Sequence, residues 1–268
     1  MQITNSLRQL SRLSQQDFSL FKSGAPLGWL LHTYYMSRWQ IKRGRSPSPT
    51  TVKFKCFGED TRIVLTSFYL GPFRGIFLDH EYDCSSLFNT PPKRILDLGA
   101  NIGMGTIFLG RQFPESQIIC VEPDPRNLPL LERNLLENSI DSTIVKGAVG
   151  PTSGSLMLRF GDNPTCSALE SSPMHDLQQA VQVDVVTVPE IMSDEGWDSI
   201  DFLKIDIEGS EDDLLSQENS WLAKVGVLIL EIHPNTTSAR IQSFLEPFGF
   251  VLQRFGHSHE PTYVAFRP

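Results

Sequence analysis

The chain has 268 residues, 40% of them hydrophobic, which allows a sizeable core in one large domain or two small ones. Its 23 Lys and Arg against 31 Asp and Glu leave a net charge of −8 and a pI near 5.3. That balance excludes a general nucleic-acid binder, which needs clustered cations, and the single cationic run, "IKRGRSPS", reads as a solvated loop.

In chain order, Leu7 to Lys22 has patchy helical spacing and Trp29 to Ile41 is a second apolar stretch, broken off by "SPSPT". "TVKFKCFG" alternates apolar and polar residues, and "TRIVLTSFYL" is a short apolar run. Together they predict a hairpin turned by "GED". "NTPPK", Asn89 to Lys93, marks a boundary. The expected organisation is therefore an N-terminal extension, 1–92, of helix and β-hairpin, which covers the site and shapes an acceptor pocket, and an α/β domain, 93–268. "PLGWLLHTYYM" is too short and interrupted to span a bilayer, and the polar start lacks the apolar core of a signal peptide. Cys56, Cys84, Cys120 and Cys166 have no zinc-like spacing. Their usage fits a reducing cytosol, and a cytoplasmic enzyme with no membrane or nucleic-acid partner is expected.

From Lys93 strands and helices alternate. "RILDLG" is a buried strand, "TIFLGRQFP" a helix ended by Pro114, and "QIICVEPD" the next strand. "PRNLPLLERNLLENS" is a helix with Asp124 as N-cap, Pro125 at its first position and a possible kink at Pro129. "STIVKGAVG" reads as one strand, and "GSLMLRFG" and "QVDVVTV" as two more. "DFLKIDIEG" leads into a helix, "SEDDLLSQENSWL". "KVGVLILEIHP" is a strand, "TSARIQSFLEPFG" a helix, and "FVLQRFG" and "TYVAFRP" close the chain as a hairpin whose turn holds His257 and His259. Such alternation predicts an α/β, doubly wound sheet with a mostly parallel core.

The turn "LDLGANIGMG" places an acid, Asp97, before Gly99 and Gly103. The dinucleotide spacing GxGxxG fails here, which disfavours a dehydrogenase. An acid at that point repels pyrophosphate and suits a ligand with a cationic group and a ribose, such as S-adenosylmethionine. Glu122, at the end of the next strand, is positioned to accept ribose hydroxyls. Gly147 and Ala148 fall where a flat adenine could approach the backbone, or form an ordinary strand end.

Chemistry at the strand ends falls to Asp206 and Glu208 in "KIDIEG" and to Glu231 and His233 in "LEIHP". Residues two apart share a strand face, so each pair is expected to point together. His233 is the expected general base because its ordinary pKa lies near neutrality, with Glu231 orienting it or binding substrate. Lys204 reads as a structural partner to a carboxylate. Asp206, Glu231 and His233 could instead hold magnesium or manganese, the less favoured reading. Tyr82, Phe73 and Phe77 are candidates for pocket lining or for core.

The segments "ILDLGANIGMGTIFL", "VEPDPRNLPLLERNLLENS", "FLKIDIEGSEDDLL" and "LILEIHP" resemble, in order, the FkbM-type methyltransferases, a branch of the class I S-adenosylmethionine-dependent enzymes. The resemblance implies a Rossmann-like seven-stranded sheet whose last strand is inserted antiparallel. It also implies methyl transfer to an oxygen of a small molecule, sugar or natural product. Asp97, Gly99, Ala100, Asn101 and Gly103 would then surround the methionine portion, with Asp206 beside them. Glu122 and Pro123 would flank the ribose, and Gly147 and Ala148 the adenine. Tyr82, Glu208, Glu231 and His233 would face the acceptor. The segment "VTVPEIM" departs from the family, whose members often carry a leucine–aspartate pair there. N-methylation, or a silent binding protein that keeps the cofactor fold, are the alternatives.

Overall fold

The computed structural model describes residues 48–160, 167–169, 179–256 and 261–268. The expected helix at Leu7–Lys22, the apolar stretch Trp29–Ile41, the cationic run at 41–47, Cys166, His257 and His259 lie outside the described residues. No helix among the described residues is long and apolar enough to cross a membrane.

The described chain opens with an antiparallel hairpin, β1 (Thr50–Cys56) and β2 (Glu59–Leu65). Its turn is Phe57–Gly58, not the expected "GED"; Glu59 and Asp60 pair within β2. Both turn residues have positive φ, 49° and 87°, as a two-residue hairpin that follows the strand twist demands. The apolar run also does not continue as strand past Leu65. It bends through a 3-10 turn at Ser67–Tyr69 into helix α1 (Leu70–Phe77), which buries Phe73, Ile76 and Phe77.

The main body follows as β3 (Arg94–Leu98), α2 (Met104–Gln112), β4 (Gln117–Glu122), α3 (Leu128–Glu137) and β5 (Ser142–Lys146). Next come β6 (Ala148–Val149), β7 (Gly154–Phe160), β8 (Ser167–Leu169), β9 (Gln179–Val186), α4 (Val188–Asp194) and β10 (Ile200–Ile205). The chain closes with α5 (Glu211–Ser216), β11 (Val225–Glu231), α6 (Ser238–Leu245), β12 (Val251–Arg254) and β13 (Thr262–Phe266). Seven strands form one sheet in the order β12-β13-β11-β10-β3-β4-β5. Only β13 runs against its neighbours, so the antiparallel insertion of the last strand is as expected. β3, β10 and β11 are nearly continuous apolar runs because both faces of the sheet are covered.

Three local readings are corrected. α3 starts at Leu128, not at Pro125: the Asp124 carboxylate accepts the Arg126 N–H and binds its guanidinium, so residues 124–127 form a turn before the helix. Pro129 then sits in the first helical turn, where the missing N–H costs nothing, and causes no kink. "STIVKGAVG" is two strands, since at Gly147 the chain leaves the large sheet. β6 pairs with β9 in a separate four-stranded sheet of order β6-β9-β7-β8. "VTVPEIM" contributes the end of β9 and the start of α4, whose N-terminus is closed by a reciprocal Thr187–Glu190 capping box.

The hairpin and α1 share one core with the sheet. Phe54, Phe73 and Phe77 meet edge-on or tilted at 4.8–5.3 Å between ring centroids, and Phe77 reaches Phe108 of α2. Phe73 and Phe77 are therefore core residues rather than pocket lining. Side-chain amides on α3 fasten the other side. Asn134 accepts the Val64 N–H (2.7 Å) and donates to the Val64 carbonyl (3.0 Å) and the Ile102 carbonyl (2.8 Å). Asn138 does the same for Arg62, accepting its N–H at 2.9 Å and donating to its carbonyl at 2.6 Å. The match is metric: four residues of helix rise about 6 Å, and two residues of strand advance roughly 6.6 Å.

Asn134 is fully buried, so its loss strands a buried N–H and two carbonyls. Asn134→Ala is expected to lower unfolding stability by about 2–4 kcal/mol in urea denaturation. A loss below about 0.5 kcal/mol would mean that the amide does not carry the docking.

Candidate active site

β3 and β10 are parallel neighbours in a register that sets Lys204 beside Asp97 on the same face. Both side chains are buried. Lys204 Nζ lies 2.9 Å from Asp97 Oδ1 and donates to the Gly99 carbonyl at 3.0 Å. The second Asp97 oxygen accepts from the Thr106 hydroxyl at 2.7 Å. Burial works against the charged ammonium of Lys204, but the carboxylates of Asp97 and Asp206 outweigh it and raise its pKa. Asp97, fully buried, thus neutralises a lysine and does not present its charge to a ligand.

Gly99 follows with φ +82°. A Cβ here would lie 1.7 Å from the Asp206 carbonyl oxygen, so only glycine lets the ends of β3 and β10 touch. The Asp206 N–H in turn donates to the Leu98 carbonyl at 3.0 Å. The next residues of the turn are held by β4, whose Val121 carbonyl accepts the N–H groups of Gly99 and Ala100. Glu122 fixes Asn101: one carboxylate oxygen accepts the Asn101 N–H at 2.7 Å, and the other accepts from Asp124 N–H and the Asn127 amide. Burial pushes the Glu122 carboxyl up to about 7 against these bonds.

A cavity of about 510 Å³ opens at the ends of β3, β10 and β11. Gly99, Ala100, Asn101 and Gly105 form one part of its wall. Asp206, Glu208, Glu231 and His233 form another, and Tyr82 and the Gly71–Gly75 face of α1 a third. Of the residues expected on the cofactor, Asp97, Gly103, Glu122, Pro123, Gly147 and Ala148 are not on this wall.

The four residues expected to carry the chemistry do converge, though not by strand alternation. β10 ends at Ile205, and the following loop turns Glu208 into a left-handed conformation, φ 52°. Asp206, Glu208 and His233 bring ligand atoms within 4.8 Å of one another. Tyr82 donates its hydroxyl to Asp206 Oδ2 at 3.2 Å; burial first and the Asp206 charge second hold its pKa well above the usual tyrosine value. Around His233, Nδ1 lies 3.0 Å from Glu211 Oε1, while Nε2 lies 3.5 Å from Glu208 Oε2 and 3.8 Å from Glu231 Oε1. Burial alone lowers a histidine pKa, but Glu208 and Glu211 face this ring from both sides and push it up to about 11. This shift favours the imidazolium over the neutral ring that the expected general base requires. The protonated ring balances carboxylates, and Nε2 offers a lone pair only once that proton is displaced.

Sequence reading gave no site role to two acids. Glu211 stands in "EGSEDDLL" like an ordinary first-turn helix acid, yet it is fully buried and accepts the N–H groups of Ile207 and Gly209 as well as the His233 contact. Glu81, in "HEYD", is buried on the cavity wall. A Cβ on Gly75 would meet this carboxylate, so any side chain at that position of α1 requires the Glu81 carboxylate to move.

Residues 97–255 match the family model described as "Methyltransferase FkbM domain". "Methyltransferase sdnD" of Sordaria araneosa is 29% identical over 68% of this chain and 82% of its own. "31-O-demethyl-FK506 methyltransferase FkbM" of Streptomyces tacrolimicus is 22% identical over 62% of this chain and 73% of its own. The crystal structure of methyltransferase FkbM from Methylobacillus flagellatus KT superposes with a TM-score of 0.50 at 20% identity, over 69% of this chain; the chain spans only 46% of that protein.

Lys204→Met leaves Asp97 buried without a counter-charge and is expected to cost about 3–5 kcal/mol in urea unfolding, with most of the loss recovered in Lys204→Met/Asp97→Asn. An additive double variant would refute the coupling. His233, with a folded pKa raised above its ordinary 6.5, contributes stability that is complete below about pH 6.5 and fades as the pH rises toward about 11. Ring-nitrogen NMR of metal-free protein is expected to show an imidazolium at pH 9; a neutral ring at pH 8 would refute it.

Proposed function

Because the chain belongs to the FkbM methyltransferase family, we propose that it moves the methyl group of S-adenosylmethionine to a hydroxyl of a small molecule. The observation that carries this reading is that the glycine turn after β3 and the Asp206–Glu208–Glu231–His233 group open onto one cavity. Its volume of about 510 Å³ suits a small-molecule site. The Streptomyces relative, by its name, methylates an oxygen.

The residues present fit this cofactor. Gly99, Ala100 and Gly105 offer backbone and small side chains to the cavity, and its wall carries Asp79, Glu81, Asp206, Glu208 and Glu231 against Arg74, Lys204 and His233. A net acidic wall suits a ligand with ammonium and sulfonium groups and no phosphate. Gly99, Ala100 and Asn101 would hold the methionine portion. Glu122 has spent three acceptor positions on protein N–H groups, which leaves room for one ribose hydroxyl rather than two. Pro123, Gly147 and Ala148 are assigned to the far, adenosine side.

S-adenosylmethionine supplies an electrophilic methyl group whose bonding pair stays with sulfur. The protein's part is to position the acceptor and remove its proton. We assign proton removal to Glu231. Its carboxylate closes β11 on the cavity wall, 3.8 Å from His233 Nε2. Asp206, tied by Tyr82, holds the wall between cofactor and acceptor. Residues of 1–92 shape the acceptor side through α1 and Tyr82.

In calorimetric titration the protein is expected to bind S-adenosylmethionine and S-adenosylhomocysteine and to leave NAD unbound; the reverse preference would overturn the cofactor assignment. With an acceptor found by screening hydroxylated metabolites for methylated product, Glu231→Gln is expected to lower kcat by about 10²–10⁴-fold while leaving S-adenosylhomocysteine affinity nearly unchanged. A kcat within about threefold of the parent would move the base elsewhere.

A further inference from the structure

We propose that Asp206, Glu208 and His233 form a binding site for one divalent first-row metal ion, with Glu211 as the residue that orients the histidine. The ligand atoms of the three lie within 4.8 Å of one another and open onto the cavity. The spacing around Nε2 is informative. Glu208 Oε2 lies 3.5 Å and Glu231 Oε1 3.8 Å from Nε2, both within ion-pair range of the ring. Two ligand atoms on one ion, each about 2.0–2.2 Å from it, stand roughly 3.0–3.8 Å apart at angles between 90° and 120°. Imidazole and carboxylate are therefore held at the separation of two ligands sharing an ion.

A second observation lies behind the ring. Nδ1 is engaged by Glu211 Oε1 at 3.0 Å, which turns Nε2 toward Asp206 and Glu208, and a bound ion would take the place of the Nε2 proton, which is released to solvent. Glu211 is itself completely buried and anchored by the N–H groups of Ile207 and Gly209, and its other oxygen, Oε2, has no hydrogen-bond partner among the described residues. A buried carboxylate on the far nitrogen of an imidazole is the arrangement that fixes metal-binding histidines. One nitrogen with two carboxylates suits manganese or a similar first-row ion better than calcium or an all-oxygen magnesium site.

The site is an inference from geometry and stands without the methyl-transfer reading. Its chemical use rests on that reading: the bound ion would draw an acceptor hydroxyl oxygen into the cavity and acidify it, beside Glu231.

Mn²⁺ is the probe. Titrated into metal-free full-length protein and followed by the electron paramagnetic resonance of free Mn²⁺, one equivalent is expected to disappear at micromolar concentration. Spin-echo modulation of the bound ion is expected to report one imidazole nitrogen. Asp206→Asn and Glu208→Gln are expected to weaken binding at least 100-fold, and Glu211→Gln 10–100-fold, with unchanged circular dichroism. No binding by the parent protein up to about 1 mM, binding without a nitrogen signal, or equal binding by the carboxylate variants would overturn the site. The nitrogen signal needs no variant, so a variant that fails to fold leaves the test intact. Mn²⁺ binding in a protein that binds no S-adenosylmethionine would keep the metal site and sink the methyl-transfer reading instead.

Discussion

The Lys204–Asp97 pair is the interaction on which the crevice depends. Two charges buried between parallel strands cost several kcal/mol each to desolvate, and that cost is offset only where each is paired and hydrogen-bonded. Here the lysine satisfies Asp97 and the Gly99 carbonyl together, and Thr106 takes the other carboxylate oxygen. One ammonium thereby fixes the end of β3, the start of the glycine turn and the first turn of α2. Because Gly99 admits the Asp206 carbonyl, the end of β10 is locked to the same point. The position of Asp206 relative to the turn is thus a property of the core rather than of a loop.

Around that fixed point the charges are unbalanced. Carboxylates outnumber cations on the cavity wall, and much of the wall is half-buried, where water screens little. The surplus explains the raised pKa of both Lys204 and His233: each is held in its charged form because the alternative leaves carboxylates facing one another. The same surplus would favour a cationic ligand, whether a sulfonium with its ammonium group or a metal ion. It disfavours phosphate or carboxylate acceptors. The fold and the charge pattern therefore select in the same direction.

Much of this was legible in the residues. The buried strands "RILDL" and "VGVLILE" are nearly continuous apolar runs, the first broken only by Asp97, and the alternation of elements from Lys93 onward leads to the mostly parallel α/β sheet, while the seven strands with the last one antiparallel came from the family resemblance. The acids and histidine after β10 and β11 were also legible as a group, because strand ends in this architecture open onto one crevice. What could not be read was set by tertiary partners. Asp97 looks the same in sequence whether it faces a ligand or a lysine; the β3–β10 register decides. His233 has an ordinary imidazole until Glu208 and Glu211, distant in sequence, close around it. Helix α1 stayed hidden because "LGPFRGIF" carries two glycines and a proline, poor helix formers that burial of Phe73, Ile76 and Phe77 overrides. The glycines had another purpose: one of them leaves the space that Glu81 fills.

The asparagine ladder on α3 has a consequence of its own. A two-stranded ribbon carries free edges that invite pairing with another chain. Asn134 and Asn138 imitate a third strand, occupying the outward N–H and carbonyl groups of Arg62 and Val64 through side chains alone. The helix therefore acts as a cover that closes one edge of the ribbon to intermolecular β-pairing. Loss of either amide would open a docking edge for self-association, a hazard that selection on catalysis alone would not reveal.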